Sequence, residues 1–498
     1  MITLNDIIYF VITDRFFDGN TANNENIDLD NPRAYHGGDF DGLIQKIPYF
    51  KKLGITALWI TPVYLNIHDL GDSAGYHGYW TIDFDKIDPH LYTPAQNRTV
   101  GSKKYLKDLV DAYHNENIKI ILDMVVNHTG YHTNEYINYP DKVFEDSNFN
   151  HGQGSVEGEL AGLPDLDHDQ IDVADYFIQN ILKWIEETEI DGIRMDTVKH
   201  VEDKFWYLFK SQIKTRHPNI TLIGEVLDWN PDYISTYQKE HDFDSIFDFP
   251  LCGVLKGCFI RDRPLTELAR PRLHPDETRG ILDIDKVYTN ANRLVTLLDN
   301  HDLDRRITSE ILDNIGHWDK ELAKEILKLS LTFLMTTRGI PQIYYGTEIG
   351  MTGYKDPDNR KDMPWKSFLN NTPVNQYEKD IFNHTIKAID IRRKNPAITY
   401  GYLITLYVDT FIYAYLRAFK ENVVIVVINN GREPMSNPLT IHIGANANIP
   451  TRIKQILKDG TSLKSQFAHL EDIITSSEDF QIKLPRKTAG VYCINSRD

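Results

Sequence analysis

Cysteine is scarce: Cys252, Cys258 and Cys493 are the only three in 498 residues and form no C-x-x-C pair. That excludes a disulfide framework and a zinc ribbon and leaves buried thiols. Positive charge is also short. With 54 Lys+Arg against 72 Asp+Glu the formal net charge is −18, the wrong sign for neutralising a phosphate backbone or resting on an anionic leaflet. Neither nucleic acid nor a membrane is an expected partner. Apolar runs such as Val423 to Ile428 stop at six residues, far below the roughly 18 of a membrane span. G-x-G-x-x-G, G-K-[ST] and H-E-x-x-H are absent, so dinucleotide, P-loop and zincin readings lose their simplest support. The N-terminus shows neither the basic start nor the small-residue cleavage site of a leader. The expected compartment is the cytoplasm, or a secreted or periplasmic one if a leader has been trimmed.

What the chain does have is a repeat of β-branched or aromatic runs with helical patterns between them, the sequence form of βα units. Eight strands are predicted: Ile7 to Ile12, Ala57 to Thr61, Ile118 to Val126, Gly192 to Met195, Leu222 to Glu225, Ser245 to Phe249, Leu294 to Leu298 and Gly339 to Tyr345. Helices are predicted between them, for example over Ser102 to Asn115, Val173 to Glu187, Lys204 to Lys214 and Glu321 to Met335. Eight such units close an α/β TIM barrel, a (β/α)8 fold, rather than an open doubly wound sheet. Two stretches break the repeat. Residues 129–169, rich in Asn, Asp, Gly and Tyr, read as a small domain inserted after strand three. After residue 395 the pattern changes to alternating strands without helices, as in Thr410 to Leu416, with turn signals such as Asn429-Asn430-Gly431. The expected organisation is a catalytic barrel over 1–128 and 170–395, the insert, and a C-terminal β-sandwich over 396–498.

A barrel carries its chemistry at the C-terminal ends of its strands. Polar residues collect there: strand three ends in Asp123-Met-Val-Val-Asn127-His128, strand four in Arg194-Met-Asp196, strand five in Gly224-Glu225, and strand seven in Asp299-Asn300-His301-Asp302. Three carboxylates without a thiolate or histidine metal cage suit cleavage of an acetal, where one attacks, one donates a proton and a third steadies an oxocarbenium-like transition state. Arg194, two residues before Asp196 on the same side of a strand, can hold Asp196 ionised. Glu225 must keep its proton, and a neighbouring carboxylate favours that.

At these residues the sequence resembles the α-amylase family of glycoside hydrolases, family thirteen. Asp123 to His128, Gly192 to His200, Gly224 to Val226 and Asp299 to Asp302 are similar to its four signature regions, in order. Leu163 to Asp167, Gly54 to Pro62 and Gly339 to Glu348 are similar to three further ones. The resemblance implies that Asp196 is the nucleophile, Glu225 the acid/base and Asp302 the transition-state stabiliser. It implies that Arg194, His128 and His301 bind the sugar at the cleavage point, with Tyr79 stacked under it and His77 hydrogen-bonded to it. Lys199 and His200 resemble the pair with which α-amylases and cyclodextrin glucanotransferases hold the glucan beyond that point.

The resemblance also implies Ca²⁺. The run from Asp18 to Asn24 and Gly37-Gly-Asp39 offer hard oxygen donors in a short span, as calcium requires, without EF-hand spacing. They are similar to a glucanotransferase calcium loop at Asp18, Asn20, Asn23, Asn24, the Gly37 carbonyl and Asp39. A second site resembles the family's calcium between barrel and insert, through Asn127, Asp165 and the His200 carbonyl, with a fourth ligand from the insert not placed. Ala161 stands where glucanotransferases carry an aromatic, the two further C-terminal domains typical of them do not follow, and no N-terminal domain of the cyclomaltodextrinase kind precedes strand one. The expected protein is a monomeric, retaining, endo-acting α-amylase on starch, glycogen and maltooligosaccharides. The alternatives are a cyclomaltodextrinase, maltogenic amylase or glucanotransferase-like enzyme, or a non-catalytic carbohydrate-binding relative, which the three intact carboxylates disfavour.

Overall fold

The computed structural model describes residues 1–131, 144, 146–270, 279–476 and 479–494. Eight short parallel strands are Ile8–Val11 (β1), Ala57–Ile60 (β2), Lys119–Met124 (β3), Gly192–Met195 (β4), Thr221–Gly224 (β5), Ser245–Ile246 (β6), Val295–Thr296 (β7) and Ile340–Tyr344 (β8). They lie in the order β6-β5-β4-β3-β2-β1-β8-β7, and a parallel bridge from Phe247 to Val295 joins the two ends. The sheet therefore closes as the expected barrel. Nearly every strand residue is buried, which is why the strands read as continuous apolar runs rather than alternating ones. Inside, Phe10 stacks on Trp59 with ring centroids 3.6 Å apart and also faces Tyr344, and Trp59 meets Phe247. These rings form a dry floor below the strand ends.

The helices follow from apolar spacing. Lys104–His114 buries Tyr105, Leu106, Leu109, Val110 and Tyr113 along one stripe, the amphipathic pattern of a barrel's outer layer. Gly54, at φ +92°, ends the helix Ile47–Leu53 in the left-handed conformation that turns the chain into β2.

Three expectations change, the first being the seventh strand, expected over Leu294 to Leu298, which keeps only Val295 and Thr296. The sixth strand, expected to reach Phe249, keeps only Ser245 and Ile246. Asp248 caps a helix at Phe249–Phe259 by accepting from the Leu251 amide (3.1 Å), and Pro250 occupies the first turn, so capping chemistry stops the strand. The C-terminal region also contains two short helices, Pro396–Tyr400 and Thr451–Ile456, where none was expected. Both begin at a Pro-containing turn, a helix-start signal that the strand alternation around them masks.

The rest of that region is β structure. Six antiparallel strands are ordered Tyr402–Val408, Ile412–Phe419, Asn422–Asn429, Thr488–Ile494, Ser462–Ser465 and Ile473–Ile474, and a separate pair joins Leu439–His442 to Asp479–Ile482. Alternate residues divide between two cores: Tyr413, Tyr415, Val424 and Val426 pack into the barrel's cluster, while Ala414, Leu416, Ile425 and Val427 pack beneath the second layer. A strand buried on both faces explains the unbroken run Val423 to Ile428.

Between β3 and the following helix Ile171–Thr188, Phe149–Asn150 pairs with Asp165–Leu166, and His128 bridges to Asp165. Residues 132–143 and 145 of the expected insert lie outside the described residues. All three cysteines are buried and free. Among the described residues no helix is long and apolar enough to cross a membrane.

The barrel's closure near β6 rests on Arg338, which pairs with Asp248 and with Asp285 (2.7 Å). Because Asp248 and Arg338 are both buried, Arg338→Met leaves an unpaired buried carboxylate. The expected loss is about 3–5 kcal/mol, read as a lower urea midpoint. Asp248→Asn in the same chain should recover part of it, and an unchanged midpoint in Arg338→Met would refute the assignment.

Candidate active site

Each polar residue expected at a strand end is placed there by the strand before it. Arg194 is the third residue of β4; Asp196 follows that strand, its amide still donating to the Met124 carbonyl (2.9 Å). Glu225 follows β5 in the same way, its amide on the Met195 carbonyl (2.9 Å). Thr197 then turns left-handed, at φ +47°, and its amide donates to Glu225 Oε2 (3.1 Å). Such a conformation in a β-branched residue is strained, and the strain sits between Asp196 and the carboxyl of Glu225.

Arg194 organises the site. One terminal nitrogen donates to Asp123 Oδ1 (2.8 Å) and Asp196 Oδ1 (2.6 Å); the other lies 2.9 Å from Glu225 Oε1 and 3.9 Å from Asp302 Oδ2. The guanidinium is fully buried. Asp123 also accepts from Trp59 Nε1 (3.1 Å) and the Tyr79 hydroxyl (2.8 Å). Burial pushes the Asp123 carboxyl up to about 7, with Arg194 opposing and Asp196 adding to the rise.

The other two carboxyls are driven apart. Burial raises that of Glu225 well above the usual carboxylate range, against the pull of Arg194 and with the push of Asp302 and Asp196. Burial works the same way on Asp302, but His301 and the guanidiniums of Arg360 and Arg194 outweigh it and hold Asp302 below its ordinary value. His301 lies 3.4 Å from Asp302, and burial pushes its ring down to about 3. Burial likewise lowers His77 and His128. Neutral imidazoles can both donate to and accept from sugar hydroxyls, and His128 Nε2 is buried without a partner.

These groups line one cleft of about 440 Å³ that holds His77, Tyr79, His128, Asp196, Lys199, His200, Glu225 and Asp302 together. Arg194 lies beneath it, and His301 touches Tyr79 from behind, 2.9 Å from its hydroxyl. Lys199 Nζ donates to the Leu227 carbonyl (2.7 Å), and His200 Nδ1 to the Ser155 carbonyl (2.6 Å). Tyr131 and Leu160 line the cleft without having been marked in the sequence, while Trp80 and Arg360, the latter closing the segment Asp356 to Arg360 that resembles oligosaccharide-cleaving members of the family, had no role assigned to them. Tyr131 packs its ring on Trp80 at 5.1 Å and donates its hydroxyl to the Ala161 carbonyl (3.0 Å). Arg360 lies 3.5 Å from Asp302 Oδ1. A basic residue in the loop after strand eight was the available signal for Arg360; nothing local marks Tyr131.

Several of the candidate metal residues also come together. Asp18 Oδ1, Asn23 Oδ1 and Asn24 Oδ1 are buried oxygens without hydrogen-bond partners. Asn24 Oδ1 lies 2.8 Å from where a Cβ on Gly37 would stand. Asp39 joins them through Asn23 Nδ2 (3.2 Å), and burial pushes its carboxyl up to about 6. Asn20 is turned to cap Ala22 instead (3.1 Å). At the second place Asn127 Oδ1 is again a buried oxygen without a partner, near Asp165, whose carboxyl burial pushes up to about 7. Asn150 bridges Asp165 and Glu202, at 3.0 Å to each, and both were missed from the sequence. Unpaired buried oxygens of this kind fit a hard cation. One further group, His68, Asp88 and His90, is already satisfied: Asp88 accepts from both rings, from Asn66 N and from His90 N.

Comparison with known proteins bears on this arrangement. The family described as "Alpha amylase, catalytic domain" matches residues 10–158 and 141–401. An α-amylase of Niallia circulans is 33% identical over 85% of this chain and 80% of its own. The chain spans much less of two other relatives: 37% of a β/α-amylase of Paenibacillus polymyxa (32% identical, 97% of this chain) and 61% of a cyclomaltodextrin glucanotransferase of a Bacillus species (32%, 90%). Among solved structures, an Anoxybacillus α-amylase aligns with a TM-score of 0.81 at 32% identity, covering 99% of both chains. A glucanotransferase described as the first with a three-domain distribution aligns at 0.77 and 28%, again over 99% of both.

With burial and two anionic neighbours raising it, the Glu225 carboxyl should titrate far above the ordinary glutamate value of about 4.3. Asp302→Asn removes one of those neighbours and should move the titration down. Infrared difference spectra of the carboxyl band, with Glu225→Gln as the blank, read both; titration in the ordinary range would overturn the site's electrostatics.

Proposed function

This chain belongs to the α-amylase family of glycoside hydrolases, and we propose that it is a retaining, endo-acting α-amylase cutting α-1,4-glucosidic bonds in starch, glycogen and maltooligosaccharides. The observation that carries the proposal is the grip of one guanidinium on Asp196 and Glu225 together. A shared partner favours the close spacing of a retaining pair, about 5 to 5.5 Å, over the wider gap that an inverting pair needs for its water. Asp196 Oδ attacks the anomeric carbon while Glu225 gives its proton to the departing glycosidic oxygen, so the C–O bond breaks as the glycosyl ester forms. Water then attacks the ester, handing a proton to Glu225 and freeing Asp196, and the α configuration is kept. Asp302, held anionic, faces the positive charge that develops at the sugar ring. Tyr79 offers its ring beneath that sugar, with His77, His128 and His301 as neutral hydrogen-bonding groups.

A second reading has its own support. Tyr131 brings an aromatic ring to the cleft beside Ala161, and a three-domain glucanotransferase matches this chain end to end. A three-domain length therefore does not separate hydrolysis from transfer. A timed product profile on starch decides between them. Short linear α-anomeric products support hydrolysis, and abundant cyclodextrin moves the assignment to transfer. Asp196→Asn should lower turnover at least a thousandfold, on the order of 4 kcal/mol of barrier; near-normal turnover would remove Asp196 from the nucleophile's role.

The orphaned oxygens at Asp18, Asn23 and Asn24 and at Asn127 support two structural Ca²⁺ sites. Bound calcium would neutralise crowded oxygens and fix the loops, the first with Asp39 and the Gly37 carbonyl, the second with Asp165 and the His200 carbonyl. A ligand that binds only the folded state raises its stability. Melting should therefore fall in EDTA and recover with Ca²⁺, with a smaller recovery in Asp18→Ala/Asp39→Ala. A melting curve indifferent to chelator would count against both sites.

A further inference from the structure

Beyond the cleft, aromatic rings continue along the outer surface. Leu227 lines the cleft, and two residues later Trp229 is 54% exposed. Its indole is seated from one side only: a Cβ on Gly253 would stand 3.0 Å from Cε3 and 3.2 Å from Cζ3, and Phe249 meets it edge-on at 6.1 Å. Asn230 then caps the helix Pro231–Lys239, which presents Tyr233, 39% exposed. Tyr233 touches Tyr237 (5.8 Å between centroids), Tyr237 touches His241 (5.1 Å), and His241 touches Tyr207 (5.3 Å). Tyr207 is 52% exposed near the start of the neighbouring helix Asp203–Arg216. Both helices begin at the end of the barrel where the cleft opens, because each follows the strand that carries Asp196 or Glu225.

Single exposed aromatics need no explanation, but three beside the cleft-side starts of two neighbouring helices do, Tyr233 and Tyr207 being joined through the buried Tyr237 and His241. Their chemistry is that of sugar recognition: exposed apolar ring faces, two of which carry a hydroxyl edge. The chain's charge of −18, with Asp203 and Asp228 flanking the row, repels an anionic polymer and tolerates a neutral one.

We propose that Trp229, Tyr233 and Tyr207 form a surface guide for a linear α-glucan, holding the polymer beyond the side of the cleft where Glu225 protonates the leaving oxygen. The direction assigned to it rests on the hydrolase reading; the binding itself does not. The guide should matter for polymers and little for short sugars, because none of its three rings lines the cleft itself.

The test uses the full chain carrying Asp196→Asn, so that the polymer is not consumed. In native gels containing amylopectin this protein should be retarded, and Trp229→Ala/Tyr233→Ser/Tyr207→Ser should weaken the apparent affinity at least fivefold. Maltotriose affinity by calorimetry should change less than twofold in Tyr207→Ser alone, which removes only the ring farthest along the row and should still weaken amylopectin binding. Matching melting curves exclude misfolding of the triple variant, and Tyr207→Ser serves if it misfolds. Unchanged retardation in the variants overturns the guide, as does equal retardation by dextran, a polymer of different linkage. If retardation is lost as expected but the unmodified chain cuts no α-glucan, the guide stands and the hydrolase reading falls.

Discussion

The buried guanidinium of Arg194 allows four carboxyl groups to share the mouth of this barrel. Two like charges 4 Å apart repel by about 4 kcal/mol even at an effective dielectric of 20, and one cation cannot neutralise Asp123, Asp196, Glu225 and Asp302 together. The excess is settled by unequal protonation. Asp123 and Glu225 are pushed toward their neutral forms while Asp302, with Arg360 behind it, is held as the anion. Arg194 is itself fixed from below, 5.3 Å over the Trp59 ring and 5.9 Å from that of Tyr79. The aromatic floor and the charge pattern are one construction.

Holding Asp302 takes a second layer. Asn359, from the loop after β8, donates to the His301 and Leu303 carbonyls at 2.9 and 3.0 Å, and Arg306 donates to the Asn359 carbonyl at 2.9 Å. Asp299 accepts from the Ile307 amide and the Thr347 hydroxyl, each at 2.9 Å. The loops after β7 and β8 are thus cross-linked by buried hydrogen bonds, and the third carboxylate depends on residues about 60 positions further along the chain. Misplacing such a group by an ångström costs a large fraction of a rate.

The carboxylates and histidines at the strand ends were legible because each ends an apolar run: a strand buried on both faces has no other reason to finish in Asp, Glu or His. The barrel was legible from eight such runs. What escaped was decided elsewhere. The sixth and seventh strands shrink to two residues each, and at the sixth a cap at Asp248 competes with strand pairing, which periodicity alone does not weigh. Tyr131 lies in a turn and Arg360 ends the single-turn helix Asp358–Arg360, and both reach the cleft only through tertiary folding. Asn150 and Glu202 became visible beside Asp165 for the same reason, since nothing in their spacing links residues separated by about 50 positions. Asn20, by contrast, matched a ligand position, yet its side chain caps a turn, showing that a matching residue type does not settle what its side chain does.

Position 161 shows how a local backbone choice bears on the reaction's outcome. Ala161 and Gly162 are both left-handed, at φ +55° and +82°, a reversal that costs a residue bearing a Cβ about 1–2 kcal/mol. The turn presents the Ala161 carbonyl to the hydroxyl of Tyr131, so the aromatic in this part of the cleft is supplied from a different segment and is anchored by its polar end. An anchored ring can stack on an acceptor sugar without the freedom of an unrestrained side chain, which lowers the entropy lost on binding. In the proposed mechanism, the acceptor that meets a glycosyl ester on Asp196 therefore has the Tyr131 ring beside it as well as the side chain at 161. A sequence position that separates two activities in related proteins therefore loses its meaning once another segment of the fold fills the same space.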